Sequence, residues 1–193
     1  VDASTSSTDI VKVAGYCVGV NTSHDTLTQH AHISRSLILR GGYTTTNWTT
    51  PYPLTQPTTL DALGRGRVLF INNDDAEQTI NLVIESLSIT GGDAKNLGGY
   101  IDSKGKAYNT GGGICAISAT VTLSDTHIVG NRTGWSRAYG WGGGVYMAHS
   151  NVLMIGNVIA NNVADAYSEP DYHFSDSYGG GLYLRESTGA FRD

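Results

Sequence analysis

The chain has 193 residues, 39% of them hydrophobic, which is enough for one sizeable core and few for two. A formal net charge of -5, with twelve Lys and Arg scattered singly, leaves no basic stripe and excludes nucleic acid as a partner class. No window approaches the ~18 consecutive apolar residues of a membrane-spanning helix, and twenty-five glycines against four prolines point to short strands and turns rather than helices.

In chain order, the opening VDASTSSTD lacks the charged and apolar regions of a signal peptide. His30 and His32, in HAH, place both rings on one strand face; without a third ligand nearby they read as a surface strand rather than a metal pair. SLILRGG (36–42) and SLSITGG (86–92) share a Ser-Leu-x-aliphatic-x-Gly-Gly pattern and are predicted to be the same rung with different corners. Between them, TTTNWTTPYPLTQP (44–57) has a turn or polyproline composition and should wrap the outside. NNDDAEQ (72–78) gathers Asp74, Asp75 and Glu77, in a pattern that reads as a solvated turn rather than a catalytic carboxylate cluster.

Repeats dominate the second half. GGGICAISATVTLSDTHIVGN (111–131) aligns without a gap on GGGVYMAHSNVLMIGNVIANN (142–162), pairing Ile114 with Val145, Val121 with Val152, Leu123 with Met154, Ile128 with Ile159 and Asn131 with Asn162. GGGLYLRESTGAFRD (179–193) continues the register and stops mid-unit. Apolar residues alternate within each copy, as strands with one buried face require. A unit of about twenty residues with two or three such strands cannot bury its apolar row alone, but stacked copies can.

The fold class expected is therefore all-β, a right-handed parallel β-helix (solenoid) forming one domain over 1–193, with long loops leaving one edge. Six to eight coils at about 4.8 Å would give a rod of roughly 30–40 Å. Asn131 and Asn162 should form an internal ladder whose amides satisfy the corner backbone. Three glycine triplets, Gly111, Gly112 and Gly113, then Gly142, Gly143 and Gly144, then Gly179, Gly180 and Gly181, should mark the corners where loops return to the stack. A β-sandwich is the alternative, and it does not explain the repeated register.

VKVAGY, ISRSLILRGGYTTTNW, PTTLDALGRGRVLFI, SLSITGGDA and the GGG units ending in IxxN together resemble right-handed parallel β-helix surface proteins of bacteria, of the pectin-lyase-like type. The units are more loosely similar to the GGA(I/L)…FxxN repeats of polymorphic outer-membrane proteins, departing from them at Ile128 and Ile159, where those repeats prefer Phe. The resemblance implies an extracellular or cell-surface location, and that the chain is the central part of a longer protein.

Three insertions, at 93–110, 132–141 and 163–178, all fall between the end of one unit and the next GGG. They hold nine aromatic residues, and Trp135, Tyr139, Trp141, Tyr167, Tyr172, Phe174 and Tyr178 are the candidate binding residues, for a glycan or a cell surface. The competing reading is a lid of rings folded back over the stack. Asp171, His173 and Asp176 match no metal loop, and neither a metal nor a cofactor is expected. Cys17 and Cys115 should lie about four layers, roughly 19 Å, apart, well beyond disulfide reach, and stay unpaired. Sequons occur at Asn21, Asn47 and Asn131, the last expected inside the ladder.

Two function classes follow. One is a non-catalytic extracellular structural or adhesion module, able to self-associate end to end through its unpaired solenoid ends. The other is a carbohydrate-active enzyme, a polysaccharide lyase or glycoside hydrolase, which the resemblance allows although no catalytic motif of that type is present. An ice-binding array is suggested by Thr44 to Thr46 and by TVT at 120–122, but Leu153 replaces Thr122 one unit later.

Overall fold

The computed structural model describes residues 9–22, 27–72, 79–101, 107–134, 139–165 and 177–193. Among them there is no helix. The first sheet holds, in spatial order, β1 (Ile10–Ala14), β5 (Leu37–Tyr43), β8 (Ile80–Glu85), β13 (Ala119–Ser124), β17 (Asn151–Ile155) and β20 (Thr188–Arg192). The second holds β2 (Tyr16–Val18), β6 (Thr58–Asp61), β9 (Leu87–Thr90), β14 (His127–Val129) and β18 (Val158–Ala160). The third runs β4 (Thr28–Ile33), β7 (Arg67–Ile71), β12 (Ile114–Ile117), β16 (Val145–Ala148) and β19 (Leu182–Arg185), with β3 (Asn21–Thr22) antiparallel against β4 at its edge. In each sheet spatial order is chain order, so the chain visits the third, first and second sheets in turn. Each strand pairs in parallel with its counterpart one circuit later.

Alternation explains which residues turn inward. In β13, Val121 and Leu123 are buried while Thr120 and Thr122 are partly exposed, and β8 repeats the pattern with Ile80, Leu82 and Ile84. Register then stacks like on like: Leu82, Val121 and Val152 in the first sheet, Leu69, Ile114 and Val145 in the third, and Leu60, Ile89, Ile128 and Ile159 in the second. These rows meet in one core. Full burial of such a side chain is worth about 1.5–3 kcal/mol, which a two-sided layer could not obtain alone.

Corners repeat as regularly as strands. Ser118, His149 and Glu186 join the third sheet to the first, and Ser86, Asp125 and Gly156 join the first to the second, each with a left-handed φ. One left-handed residue turns the chain without lengthening the layer. Side chains also bridge layers here: Ser150 Oγ accepts from Ala119 N at 3.1 Å and Ser187 Oγ from Ser150 N at 2.9 Å. Asn131 does the same beside the third sheet, its Nδ2 donating to Ile89 O and Asn162 Oδ1 (each 3.0 Å) and its Oδ1 accepting from Gly92 N at 2.9 Å. Asn162 Nδ2 donates to Ile128 O at 2.7 Å. Burial of Asn131 places that sequon inside the protein.

The unit of about twenty residues at 111–131 carries one strand of each sheet, β12, β13 and β14. With the insertions included, equivalent positions lie 31 apart between the layers of β12 and β16 and 45 apart between Arg40 and Glu85. Two expectations need correction. SLILRGG and SLSITGG are not the same rung, since Leu37 pairs with Leu82 in the first sheet whereas Leu87 pairs with Thr58 in the second. The first sheet, six strands deep, spans nearer 25 Å than 40 Å at the usual strand spacing. Cys17 and Cys115 are both free and sit in different layers and different sheets.

The glycine triplets are corners only at their first residue. Gly111, Gly142 and Gly179 have a left-handed φ, whereas Gly112, Gly113, Gly143, Gly144, Gly180 and Gly181 do not. Those later glycines already stack between layers: Val68 N donates to Gly112 O (3.0 Å), Gly144 N to Gly180 O (3.0 Å), Ile114 N to Gly144 O (2.8 Å) and Val145 N to Gly181 O (2.8 Å). What they need from glycine is closeness. A Cβ on Gly112 would lie 2.1 Å from Arg132 O, one on Gly113 2.6 Å from Gly144 O, and one on Gly144 2.6 Å from Gly181 O and 2.8 Å from Asn162 Nδ2.

Gly143 is caught between two segments, with Val163 O at 2.3 Å and Gly180 O at 2.7 Å from its would-be Cβ, both backbone, whereas Gly181 would meet only the Ile159 methyl at 3.2 Å. Gly143→Val is therefore expected to cost at least about 2 kcal/mol, and Gly181→Ala much less, in paired denaturant titrations. Equal midpoints would contradict the close approach of the layers. Asn131→Ala leaves Gly92 N without its acceptor and Ile89 O without its donor, and should lose roughly 2–4 kcal/mol in the same assay.

Candidate functional site

The outer face of the third sheet carries a row set by register: His32, Phe70, Cys115, Tyr146 and Tyr183 occupy equivalent positions in successive layers. They alternate with the inward row, so a bare stack would expose them. Phe70, Cys115 and Tyr146 are nevertheless buried. What covers them is a small sheet made from the insertions: β10 (Gly99–Ile101) pairs antiparallel with β11 (Ala107–Thr110), and β11 pairs in parallel with β15 (Tyr139–Trp141). Trp141 is bridged in turn to Tyr178.

Register in this cover brings rings together. Tyr108 stacks on Trp141 with centroids 4.0 Å apart and lies 5.2 Å from Tyr139. Trp141 stacks over Tyr183 at 5.2 Å and Tyr146 at 6.4 Å, and the Tyr146 and Tyr183 rings are nearly parallel, 7° apart at 6.0 Å. Tyr178 closes the group, 6.1 Å from Tyr183, and stays 48% exposed. Tyr139, Trp141 and Tyr178 are thus brought to one place. They lie against the sheet as a partial lid, with Tyr139, Trp141 and Tyr183 half-buried, rather than projecting on free loops. Trp135, Tyr167, Tyr172 and Phe174 lie outside the described residues, as do Asp74, Asp75, Glu77, Asp171, His173 and Asp176.

Beneath the lid sits Arg67, fully buried. Its Nε donates to Thr110 O (3.1 Å) and Gly111 O (3.0 Å), its Nη2 to Thr110 O (2.9 Å) and Gly98 O (3.1 Å), and the guanidinium lies 5.0 Å from the Phe70 ring centroid. Nη1 has no hydrogen-bond partner among the described residues. Burial pushes this guanidinium below its ordinary value, with Cys115 acting in the opposite sense. Carbonyl dipoles and an aromatic face are what hold the cation there. Thr110 Oγ1 lies 3.3 Å from Cys115 Sγ, tying the lid to the row below.

Where the insertions leave the second sheet, charge is arranged differently. Arg132 reaches back to Asp93 (Nη2–Oδ2 2.8 Å), whose carboxylate is nearly buried. Asp165 is raised above the usual carboxylate range, first by desolvation and then by Asp93, with Arg132 opposing. Its ionisation therefore disfavours the folded state once pH rises above the carboxylate range, a penalty absent in acid. Among the described residues no group of three His, Cys, Asp or Glu is placed to hold a metal ion. His30 Nδ1 lies 2.7 Å from Gly19 O, and His32 stacks on Phe70 at 5.5 Å.

Sequence reasoning missed Arg67, Tyr146 and Tyr183 as parts of this cluster, and counted Tyr108 among the nine insertion aromatics without making it a candidate binding residue. Tyr146 and Tyr183 were within reach, since the repeat alignment sets both opposite Cys115 on the outward side. Arg67 carries no signal, because a lone arginine before an apolar run reads as solvent-facing.

The site and the stacked parallel sheets define an all-β protein with an aromatic seam over one sheet. No protein-family model, curated protein or solved structure matches the chain. No helix among the described residues is long and apolar enough to cross a membrane.

Replacing Arg67 with Met removes the donors that hold Gly98 O, Thr110 O and Gly111 O. Hydrogen exchange at the Thr110 and Gly111 amides should accelerate while Val121 and Leu123 stay slow; unchanged protection across β11 would show that the guanidinium does not pin the lid.

Proposed function

We propose that the chain is a non-catalytic structural or adhesion module of the cell exterior, built as a right-handed parallel solenoid. Its aromatic edge at Tyr139, Trp141, Tyr178 and Tyr183 binds a glycan or another surface ligand. The observation that carries this reading is the ring cluster itself: it is pre-ordered by register, half-exposed and raised on a rigid stack, which lowers the ordering cost of binding. End-to-end self-association belongs to the same reading. Among the described residues, β1 and β2 at one end leave Ile10, Tyr16 and Val18 exposed, β18 and β20 at the other leave Val158 and Phe191 exposed, and each of these strands has one edge with no strand beside it.

The test is a glycan panel probed with the full chain, in parallel with Trp141→Ala and Tyr178→Ala. Binding by the parent chain that weakens roughly tenfold or more in either variant is the expected result. Binding indifferent to both substitutions would remove the aromatic edge from the reading. Sedimentation across a concentration series should show association that Phe191→Asp abolishes; compact monomers throughout would refute the end contacts.

A further inference from the structure

Three tyrosine-to-tyrosine ring contacts occur among the described residues, all in the aromatic seam, and they differ in their access to water. Tyr108 and Tyr139 lie 5.2 Å apart with their planes tilted by 38°, and Tyr108 is buried. Tyr146 and Tyr183 lie 6.0 Å apart and face each other at 7°, and Tyr146 is fully buried. Tyr178 and Tyr183 lie 6.1 Å apart at 32°, and this is the pair in which neither ring is buried: Tyr178 is exposed and Tyr183 half-buried.

The fold fixes where both members of that pair stand. Tyr183 belongs to β19 and stacks on Trp141 at 5.2 Å as well as on Tyr146, so the sheet and its cover hold its ring. Tyr178 ends the last insertion and is tied through its backbone, its N donating to Gly140 O at 3.1 Å and its O accepting from Gly142 N at 2.9 Å. Gly179, with a left-handed φ, turns the chain between them and brings the two rings together. Trp141 touches both, 6.4 Å from Tyr178 and 5.2 Å from Tyr183.

One-electron oxidation of a phenol releases its hydroxyl proton, so it is easiest where that proton can pass to water. An enclosed phenol such as that of Tyr146 has no such exit. Because the seam is a run of touching rings, an electron vacancy formed on Trp141 or on an inner tyrosine moves outward and settles on the tyrosines at the wet edge.

We propose that Tyr178 and Tyr183 form an oxidative cross-linking site, joined by a carbon–carbon bond between the ring carbons ortho to their hydroxyls. Each phenol loses one electron and its hydroxyl proton to give a neutral phenoxyl radical. The two radicals couple through their ortho carbons, and the ring hydrogens at the new bond move to the oxygens, restoring both hydroxyls. The net loss is two electrons and two protons, which a haem peroxidase delivers to hydrogen peroxide, giving two waters. Holding the rings side by side reduces the coupling step to a small rotation of the exposed Tyr178 side chain. The bond staples the last insertion to β19. It closes a short loop and so adds little to global stability; what it fixes is the bridge between Trp141 and Tyr178. The site does not depend on whether the aromatic edge binds a glycan.

The experiment treats the full chain, kept dilute, with peroxidase and hydrogen peroxide, then follows dityrosine fluorescence and maps the product by mass spectrometry. A monomer lighter by two hydrogen atoms is expected, with the loss confined to the peptide that holds Tyr178 and Tyr183, and with slower amide exchange at Gly142 and Tyr178. Fluorescence should fall about tenfold or more in Tyr178→Phe and in Tyr183→Phe, which lose the pre-oriented partner. Tyr52→Phe, at an exposed tyrosine outside the seam, should leave it at the parent value. Tyr178→Phe keeps the ring on which a glycan would stack, so its effect on cross-linking is read apart from binding. The proposal is overturned if the hydrogen loss maps to Tyr108 and Tyr139, or if the main product is a dimer joined through Tyr16 or Tyr52. It is equally overturned if either Phe variant at the site keeps the parent yield, or if the chain keeps its mass while N-acetyltyrosine in the same mixture couples.

Discussion

In-register parallel pairing between strands one circuit apart governs this molecule. Because Val121 sits on Leu82 and under Val152, each inward position is enclosed by its counterparts in the neighbouring layers. An insertion within a strand would shift a whole row and turn core residues outward. Length can vary only at the corners, and there it varies freely, from layers of 31 residues to separations of 45. Sequence that is free of the core is thereby gathered at the corners: at the one entered from the second sheet, at the one between β5 and β6, and at 72–79 between β7 and β8.

What those insertions then do follows from the surfaces they meet. The outer row of the third sheet, with Phe70, Cys115, Tyr146 and Tyr183, is too apolar to leave uncovered, and the 93–110 and 132–141 segments pay for their own ordering by pairing β11 with β15 over it. Arg67 is the unusual element of this cover. Among the described residues no carboxylate bonds to it; a guanidinium so enclosed is tolerable where several carbonyls converge, and Gly98, Thr110 and Gly111 supply them from both sides of one hairpin. By contrast, the outer face of the second sheet carries Thr59, Ser88 and His127, which lose little by facing water, and the 44–57 segment stands beside it rather than on it.

Much of the stack was legible in the sequence because its signals are local and repeated. Ile114 against Val145 and Asn131 against Asn162 stand in one unbroken alignment, and the pairs observed are those residues. The glycine triplets were legible as a repeat but not as two kinds of position: Gly111 turns the chain, while Gly112 and Gly144 lie flat against the backbone of another segment, and three identical letters cannot distinguish the two needs. Legibility failed where equivalence had to be judged across unequal insertions. SLILRGG and SLSITGG look alike because any strand leading into a tight corner favours the same residue types, although one belongs to the first sheet and the other to the second. It also failed for the cover: the tyrosine and tryptophan content of 132–141 showed that rings gather there, but their burial depends on Trp141 pairing with Thr110, a contact between two segments that share no pattern.

The outer faces of the second and third sheets share layers but not side chains, and the polar link between them runs through the asparagine ladder. Asn131 bonds to the backbone of β9 at Ile89 and of the corner at Gly92, and its amide packs against the position a Cβ of Gly113 would take, just before β12. Strands β9 and β14 of the second sheet are thus clamped to the segment that leads into the third by the buried amide of Asn131, and the half-buried Asn162 repeats the contact one layer on. In a stack whose layers interact chiefly with their neighbours, a change to His127 or Trp141 stays on its own face. A change at the ladder loosens both faces at once, so the ladder sets the geometry of each surface without belonging to either.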